Sequence, residues 1–503
     1  MATFKETLES LVIAFILAFV FRAFVVEAFV IPTGSMADTL HGAHYRLACP
    51  SCAYSYDYNF NPDRWEGIPE GAIPPMPIPI VPNNRMRSGP PPICPLCGTS
   101  VDTHRQYQVS NGDRILVLKY LYQFFEPQIW DVVVFKNPTD PSKNFIKRLI
   151  GVPGNQVHIL DGDIYINNEI QRKPEKVQDE LWTKVFDLNH QPVLQQVSRR
   201  SKWQQPFQTE VKSDSAWTID PKYHRFRFKG GKSESLDYNP QRLKTTLKTL
   251  LAYNGPITDA LPLVSDLKME FVLIPESGQG QLEITLGKYM REYVAEIQFS
   301  GTFRIVRRAD EALGLDEELL SEGLFPALEA GVPVKITFAN VDHSLKLNIG
   351  GFSSPLYSGA TEAVAWGYDR TNAVNMTPAV RLSANGDPFT LKHIALYRDI
   401  HYTNNPERGG TNIGRATEEK PMAPLGADEF FVLGDNSAAS HDSRFWDRKG
   451  LDINGQELHR KGIVPRDYLI GKAYFVYWPA GFRPHPKFRF AFIPNVGDMR
   501  FIH

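Results

Sequence analysis

The chain has 503 residues, of which 42% are hydrophobic and 22% charged, a composition typical of globular proteins. This length allows about two to four domains. The formal net charge is −1, and the sequence has no basic stripe interleaved with aromatic residues. The composition therefore argues against a nucleic-acid-binding protein.

The chain begins with an apolar segment. Residues 11–21 carry no charge, and 8–26 is long enough to span a bilayer if Glu9 lies near one interface and Arg22 reaches toward the other. The alternative is a cleaved signal peptide, but the first residues carry little positive charge and no small-x-small cleavage site follows. The sequence therefore predicts an uncleaved transmembrane anchor, which Lys5 alone orients only weakly.

Most of the remaining chain has the pattern of β-structure. Short runs rich in Val, Ile and Phe and bounded by turn residues predict strands over 112–170 and again near the C-terminus. Further strand candidates show apolar alternation or dense apolar residues: 282–286, 294–306, 334–338, 345–349 and 389–397. The turn "NVDHS" predicts a hairpin, and together these strands predict a separate β-sandwich. One stretch, 310–331, predicts a helix instead.

The four cysteines form two CxxC pairs, Cys49 with Cys52 and Cys94 with Cys97. Four thiolates suit a tetrahedral zinc ion, and the doublets resemble a zinc ribbon. The 41 residues between the pairs exceed the usual spacing and include the proline-rich run "IPPMPIPIVP". Disulfides remain open because an extracytoplasmic location is oxidising, and a redox CxxC remains open without a βαβ context to support it. In both leading interpretations the cysteines are structural.

A hydroxyl-rich turn, "FVIPTGSM" (29–36), follows the apolar segment. Ser35 in this turn needs a base to act as a nucleophile, and the sequence contains neither a Ser-His-Asp motif nor a GxSxG motif. A serine can instead use a neutral lysine whose pKa is lowered by removal from water. Strand alternation places Lys147 on one face with Phe145 and Leu149, an apolar setting for an amine.

Four sequence boxes follow in order: "FVIPTGSMADTL" (29–40), "NGDRILVLKY" (111–120), "WDVVVFKNPTDPSKNFIKRLIGVPGNQV" (130–157) and "FFVLGDNSAASHDSRFW" (430–446). Together they resemble the boxes of bacterial type I signal peptidase (leader peptidase). The run "VPRDYLIGKAYFVYWP" is similar to the C-terminal strand of that family. The resemblance covers 1–41, about 110–170 and about 427–480.

This resemblance implies a role for each matching residue. Ser35 falls on the nucleophile and Lys147 on the general base, and catalysis needs no cofactor. Thr33 matches a hydroxyl that helps the Ser35 N–H form the oxyanion hole, and Ser440 matches the hydroxyl that orients the lysine. The supporting positions implied in the last box are Gly434, Asp435, Asn436, Asp442 and Arg444.

The chain departs from the family pattern in four places. Asp38 stands where the family usually has Pro, the cysteine segment separates the first two boxes, and a loop at 447–462 precedes the last strand. The fourth departure is the long segment 171–425, whose strands are similar to concanavalin- or laminin-G-like jelly rolls. Such folds often bind glycans or proteins, which makes both candidate partners, and the alternative is a spacer.

These observations predict a mainly β protein in five parts. An anchor with the nucleophile turn is followed by a zinc-ribbon-like insertion with the four cysteines, the first half of a mostly antiparallel catalytic core, an inserted β-sandwich and the second half of the core. The expected bounds are 1–41, 42–110, 111–170, 171–425 and 426–503.

The predicted function is that of a membrane-anchored serine endopeptidase that removes signal peptides through a Ser-Lys dyad and an acyl-enzyme. Its expected partners are membrane lipid and preproteins with small side chains at the first and third positions before the cut. We expect a single-pass protein of the plasma (inner) membrane with an extracytoplasmic catalytic domain. Two alternatives stay open: a self-cleaving repressor, and a membrane-tethered binding protein that uses the sandwich on an inactive peptidase scaffold.

Overall fold

The structure is a computed structural model. It describes the following residues: 2–60, 65, 73–74, 76–80, 92–192, 196–198, 201–209, 214–242, 247–248, 262–310, 314–359, 376–403, 414–417, 420–451, 457–481 and 495–503. Parts of the proline-rich run and of the loop 447–462 lie outside these residues.

Helices make up little of the described chain. They are α1 (Ala2–Phe24), α2 (Leu121–Phe124) and α3 (Glu175–Leu181). Short 3-10 turns occur at Gly34–Met36, Pro240–Arg242, Ser437–Ala439, Arg466–Tyr468 and Val496–Asp498. The helix α1 coincides with the predicted anchor, but among the described residues no helix is both long and apolar enough to cross a membrane.

An eight-stranded antiparallel sheet, the catalytic sheet, carries the sequence boxes. Its strands in spatial order are Val26–Val30, Arg114–Leu118, Leu469–Trp478, Val132–Asn137, Asp140–Gly151, Glu429–Leu433 and Val464–Pro465, with Arg500–Phe501 paired to Leu469–Trp478. We name Val26–Val30 the nucleophile strand and Asp140–Gly151 the lysine strand. The prediction of a mainly antiparallel β protein is confirmed.

At the central strand Val132–Asn137, both faces of the catalytic sheet are buried. Successive residues of a strand point to opposite faces. Val132 and Val134 therefore pack in the same cluster as Met36, while Val133 and Phe135 pack in a second cluster with Trp446. Burying both faces keeps the strands rigid, which fixes the residues at their ends relative to one another. A small sheet of Val157–Leu160, Asp163–Ile166 and Glu169–Ile170 follows the lysine strand.

Two large sheets form the middle of the chain, and a single hydrophobic cluster draws residues from both of them. One sheet contains Trp217–Asp220, Arg225–Phe228, Phe389–Arg398, Leu267–Pro275, Val334–Val341, Ser344–Ile349 and Phe352–Ser353, with Thr183–Asp187 and Tyr357–Ser358 at its side. The other contains Phe207–Gln208, Gly231–Tyr238, Val380–Gly386, Gln281–Lys288, Arg291–Gln298, Thr302–Arg307 and Glu318–Leu324. Sheets that share one core in this way form a β-sandwich.

The hairpin predicted around "NVDHS" is confirmed. Val334–Val341 pairs with Ser344–Ile349, and Asp342 and His343 form the turn with φ of 46° and 52°. Two successive residues with positive φ are typical of the two-residue turn that matches the twist of a hairpin.

The helix predicted over 310–331 is wrong. The described residues of this stretch contain the strand Glu318–Leu324, which pairs antiparallel with Thr302–Arg307. Glu and Leu favour helices in isolation, but the open edge of a neighbouring strand offers hydrogen bonds and cross-strand ion pairs such as Arg307 with Glu318. This tertiary pairing outweighs the local preference.

The cysteine segment forms two small sheets of its own, between the nucleophile turn and the second strand of the catalytic sheet in sequence. His44–Ala48 pairs with Ser55–Asn59 and Val109–Ser110, and Ile78–Pro79 pairs with Gln106–Tyr107. Two further strand pairs, Gln196–Ser198 with Ser201–Lys202 and Gly450–Leu451 with Glu457–His459, complete the described sheets.

Candidate active site

Ser35 lies in the short turn Gly34–Met36, directly after the edge strand of the catalytic sheet. Apolar side chains hold both sides of this turn, because Ile31 and Met36 are buried in the same cluster. The Ala37 N–H donates to the Gly34 carbonyl at 3.1 Å, which closes the turn. The serine is half-buried on a backbone that its neighbours hold in place.

Lys147 approaches this serine from the lysine strand. Its Nζ lies 2.6 Å from Ser35 Oγ and 2.9 Å from the carbonyl oxygen of Ile146. Only 4% of Lys147 is exposed, and its Nζ is 5.4 Å from the centre of the Phe145 ring. The predicted nucleophile and the predicted base therefore lie within hydrogen-bonding distance in a site with little access to water.

Burial lowers the pKa of Lys147 to about 8. The carboxylates of Asp442 and Asp435 oppose this effect and raise the pKa, while Arg444 lowers it further. A neutral amine is a base, and this shift raises the neutral fraction of Lys147 at pH 7 from about 0.03% to about 10%.

The last sequence box forms a loop that holds the nucleophile turn. The side-chain amide of Asn436 donates to the Gly34 carbonyl at 2.9 Å, and its backbone N–H donates to the Ser35 carbonyl at 3.1 Å. The Thr39 hydroxyl donates to Asp435 at 2.6 Å. These contacts join the first and the last sequence box around Ser35.

Gly434 is required at its position by close packing. A Cβ atom there would lie 2.5 Å from the carbonyl oxygen of Ser35 and 2.2 Å from Ser440 Oγ. Both distances are far below van der Waals contact, so a larger residue would displace the nucleophile turn. The Gly434 N–H also donates to Asp442 at 2.9 Å.

Two buried ion pairs support this loop. Arg148 binds both carboxylate oxygens of Asp435, at 2.9 and 2.8 Å. Arg444 binds Asp442 in the same two-pronged way, at 2.8 and 2.7 Å, and donates to the Ser437 hydroxyl at 2.7 Å. Paired hydrogen bonds between planar groups fix orientation as well as position.

The hydroxyls of Thr33 and Ser440 are not engaged in the same way. Thr33 is exposed and its side chain makes no capping hydrogen bond to the turn. Ser440 is buried beside the Asp442 carboxylate, whose pKa it helps to lower, but within the described residues its Oγ forms no well-shaped hydrogen bond. The roles expected for these two hydroxyls stay predictions.

Two residues that hold the site were not singled out from the sequence. Arg148 directly follows Lys147, and Thr39 lies four residues after Ser35. For Arg148 the sequence shows only a second cation beside the candidate base and does not identify its distant partner. For Thr39 the sequence offers only its place in the first box.

The cysteine pairs come together as a compact cluster. The sulfur atoms of Cys49 and Cys97 are 3.5 Å apart, those of Cys52 and Cys94 are 3.6 Å apart, and all four are buried. A tetrahedral zinc with four sulfurs at about 2.3 Å requires sulfur separations of about 3.8 Å. The donor set and its spacing fit zinc.

The two cysteine turns have the same backbone design. In each, the N–H four residues on donates to the carbonyl of the first cysteine, from Ala53 to Cys49 at 3.0 Å and from Gly98 to Cys94 at 2.9 Å. Ala53 and Gly98 both have positive φ, 58° and 70°. A shared turn geometry presents two sulfurs from each pair to one point.

Parts of the chain are similar to known proteins. The family described as "Signal peptidase, peptidase S26" matches residues 4–62, 101–222 and 373–478, together more than half of the chain. Signal peptidase I of Rickettsia typhi (strain ATCC VR-144 / Wilmington) and that of Rickettsia prowazekii (strain Madrid E) are each 28% identical over 167 residues. These matches cover 33% of this chain and 45% of each relative, so the chain matches less than half the length of these curated relatives.

Solved structures similar to part of the chain include a carbohydrate-binding module from Bacillus subtilis and sheep galectin-11. The first has a TM-score of 0.25 at 7% identity and covers 38% of this chain and 93% of the module. The second has a TM-score of 0.20 at 10% identity and covers 27% of this chain and 92% of the galectin. At these scores the similarity carries no argument about ligand or function.

Proposed function

The chain belongs to the signal peptidase family, peptidase S26, and we propose that it is a serine endopeptidase that removes signal peptides from secreted preproteins. The observation that carries this proposal is the 2.6 Å separation between Lys147 Nζ and Ser35 Oγ, whose residues lie 112 positions apart in sequence. The lowered pKa of Lys147 supports it, because the lysine must be neutral to act as a base.

In the proposed mechanism, neutral Lys147 accepts the hydroxyl proton of Ser35 while Oγ attacks the scissile carbonyl carbon. The tetrahedral intermediate collapses as the protonated lysine gives its proton to the leaving amine, and an ester joins the signal peptide to Ser35. Water then attacks this ester with Lys147 as base, and the proton returns to Ser35 Oγ as the acid product leaves.

The backbone around Ser35 suits stabilisation of the intermediate. The negative charge on the carbonyl oxygen requires donors that are already in place, and losing one such donor typically costs about 10²–10³ in rate. The resemblance assigns these donors to the Ser35 N–H and Thr33. The contacts of Asn436 with Gly34 and Ser35 hold this backbone in one conformation.

Open strand edges provide a place for the substrate. The nucleophile strand is at one edge of the catalytic sheet. The lysine strand pairs with Val132–Asn137 from Asp140 to Arg148, but its other edge is paired by described residues only from Arg148 onward. An extended peptide can add hydrogen bonds to such an edge and deliver its carbonyl group to the dyad.

The direct test uses purified chain in detergent with a radiolabelled preprotein. We expect Ser35→Ala to lower the cleavage rate by at least about 10³-fold, because the acyl-enzyme can no longer form. Ser300→Ala, at an exposed turn of the sandwich, is the matched control and should cleave normally. Equal cleavage by wild type and Ser35→Ala would overturn the proposal, and binding without cleavage by either would favour a tethered binding protein.

We also propose that Cys49, Cys52, Cys94 and Cys97 hold one structural zinc ion. Zinc would cross-link the two cysteine loops, which also share one small hydrophobic cluster. Elemental analysis of purified protein should give one zinc per chain, and Cys94→Ser should lower both the zinc content and the melting temperature. Two disulfides found by mass spectrometry, or four free thiols without zinc, would contradict this assignment.

We further propose that α1 holds the chain in the plasma membrane with the catalytic sheet outside the cytoplasm. Large apolar side chains of this helix are exposed: Phe4, Leu8, Leu11, Val12, Ile13, Phe15, Ile16, Leu17, Phe19, Val20 and Phe24. Burying these side chains in lipid removes their apolar surface from water, which is favourable. The chain should resist alkaline carbonate extraction from membranes, whereas the same chain without residues 2–24 should be released.

Protease digestion of right-side-out vesicles tests the orientation. External protease should degrade the catalytic part of the chain, and a fully protected chain would contradict the proposed topology.

A further inference from the structure

A polar cleft lies beside the nucleophile turn. It consists of two cavities of about 390 and 790 Å³ that share the wall residues Asp38, Thr39, His41 and Glu180. The smaller cavity is also lined by the loop of the last sequence box, including Asn436. Because Asn436 binds the carbonyl groups of Gly34 and Ser35, the cleft adjoins the dyad, although Ser35 and Lys147 are not in its walls.

The cleft lies on one side of the nucleophile. Its walls include residues that follow Ser35 in the chain, from Ala37 to His41, and none from the nucleophile strand that precedes Ser35. The other side of Ser35 leads back along that strand to α1 and its exposed apolar side chains. A peptide bound across Ser35 must therefore place one half near each of these environments.

The polarity of the two environments decides which half goes where. An apolar signal segment gains free energy on the side of α1, where apolar surface is exposed, and loses it in a cleft lined by carboxylates, imidazoles, lysines and arginines. The segment after the cut, which becomes the start of the mature protein, then lies along the cleft. This assignment rests on the proposed signal-peptidase function.

Most charged groups of the cleft already have partners. Asp57 lies within ion-pair distance of His41 and Arg46, and Asp113 lies within the same distance of His41 and Arg500. These pairs satisfy one another, which leaves Asp38 and Asp179 as exposed carboxylates of the cleft without an ion pair among the described residues; of these two, only Asp38 lines both cavities.

Asp38 differs from these groups. Its side chain is exposed at the shared wall of the two cavities, and no described cation lies within 4 Å of its carboxylate. The nearest cationic groups, His41 and Arg398, act on Asp38 only from a distance. An exposed carboxylate without a cation in contact, in the wall of a concave cleft, is open to a basic side chain of the substrate.

We propose that Asp38 selects preproteins that carry a basic side chain among the first residues after the cut. Asp38 is three residues from Ser35, and three residues of extended chain span at most about 11 Å. A lysine or arginine at the second to fourth position of the mature segment matches this span. The same position in the resembled family usually holds Pro, which could not make such a contact.

The test measures cleavage and binding separately. One preprotein-derived peptide is made with Lys, Gln or Glu at the third position after the cut. For cleavage, wild type should prefer Lys over Gln about two- to fivefold in kcat/KM at low salt, the range of an exposed ion pair, and should lose this preference at high salt. Asp38→Asn should abolish it, whereas Asp316→Asn, at an exposed carboxylate of the sandwich, should not.

For binding, labelled peptides are titrated into Ser35→Ala chain with and without Asp38→Asn. Tighter binding of the Lys peptide that disappears with Asp38→Asn supports the proposal even if no peptide is cleaved. Equal values for Lys, Gln and Glu with the wild-type Asp38 overturn it, and this comparison needs no Asp38 variant to fold. Failure of the peptidase proposal appears elsewhere, as cleavage that is absent or that survives Ser35→Ala.

Discussion

Lys147 and Lys288 are both buried lysines, but their surroundings give them opposite properties. Lys147 lies beside a serine hydroxyl and a phenyl ring, and burial lowers its pKa to about 8. Lys288 binds Asp266 directly and lies 3.5 Å from Asp163. Burial alone would lower the pKa of Lys288, but these two carboxylates raise it well above the ordinary value.

The difference shows that neighbours, more than burial, decide what a buried lysine can do. Lys288 ends a strand of the sandwich, Asp266 precedes another, and Asp163 belongs to the small sheet that follows the lysine strand. This permanently charged lysine therefore ties the sandwich to the rest of the chain. Lys147 has no carboxylate in direct contact among the described residues, which leaves its amine free to exchange a proton.

Replacing Lys147 by Met should have the largest effect. Methionine fills a similar volume but cannot accept a proton, so we expect a loss of at least about 10³-fold in kcat/KM. Lys143→Met, on the same strand but exposed, is the matched control. Initial rates with a preprotein substrate measure both, and a loss below tenfold for Lys147→Met would show that another group is the base.

Replacing Lys288 by Met should act on stability instead. Removing one partner of a buried ion pair typically costs about 3–5 kcal/mol, because Asp163 and Asp266 would remain buried without their cation. Urea unfolding of the chain in detergent measures this, with exposed Lys232→Met as control. At temperatures where the variant is folded, kcat/KM should stay within a few-fold of wild type. A large loss of activity in folded protein would break the distinction between the two lysines.

The sequence predicts one of these lysines far better than the other. Lys147 lies in a box with a recognisable pattern, and alternation along its strand already places it with apolar neighbours. Lys288 and its partners are 22 and 125 residues apart in a region without a motif. Ionic contacts of this kind depend on how two sheets meet, which local patterns do not encode.

The same limit explains the errors in the fold. Hairpin strands such as Val334–Val341 carry their own turn signal and can be predicted, whereas the strand Glu318–Leu324 has a helix-like composition and forms only because a partner strand is available. The contacts of Thr39 and Arg148 with Asp435 are likewise beyond sequence patterns, since they join residues about 400 and 287 positions apart.

Lys147→Met should also stabilise the chain while it inactivates it. The unfolded lysine keeps its ordinary pKa near 10.5, whereas the folded one titrates at about 8, so the folded state binds fewer protons between these values. Wild type therefore gains stability as the pH rises from about 8 to 10.5. Below pH 8 the wild type loses the full amount of folding stability that corresponds to this pKa shift, roughly 3 kcal/mol. The methionine variant has no charge to bury and does not lose it.

Urea unfolding at pH 7 and pH 10 measures this effect. The advantage of Lys147→Met over wild type should be largest at pH 7 and should shrink toward pH 10. A difference that does not change with pH would mean that the lysine is not desolvated in the folded chain. At pH 7, Lys288→Met should lower the folding stability relative to wild type, whereas Lys147→Met should raise it.

The pH dependence of the rate provides the finest comparison. If neutral Lys147 is the base, log kcat/KM should rise by about one unit per pH unit below pH 8 and level off above it, because one proton must leave the free enzyme. Stopped assays with a substrate that has no titrating group between pH 6 and 10 measure this profile. Lys288→Met should keep the same midpoint, because Lys288 of the wild type stays protonated throughout this pH range. A midpoint near 10, the value of an ordinary lysine, would mean that burial does not activate Lys147.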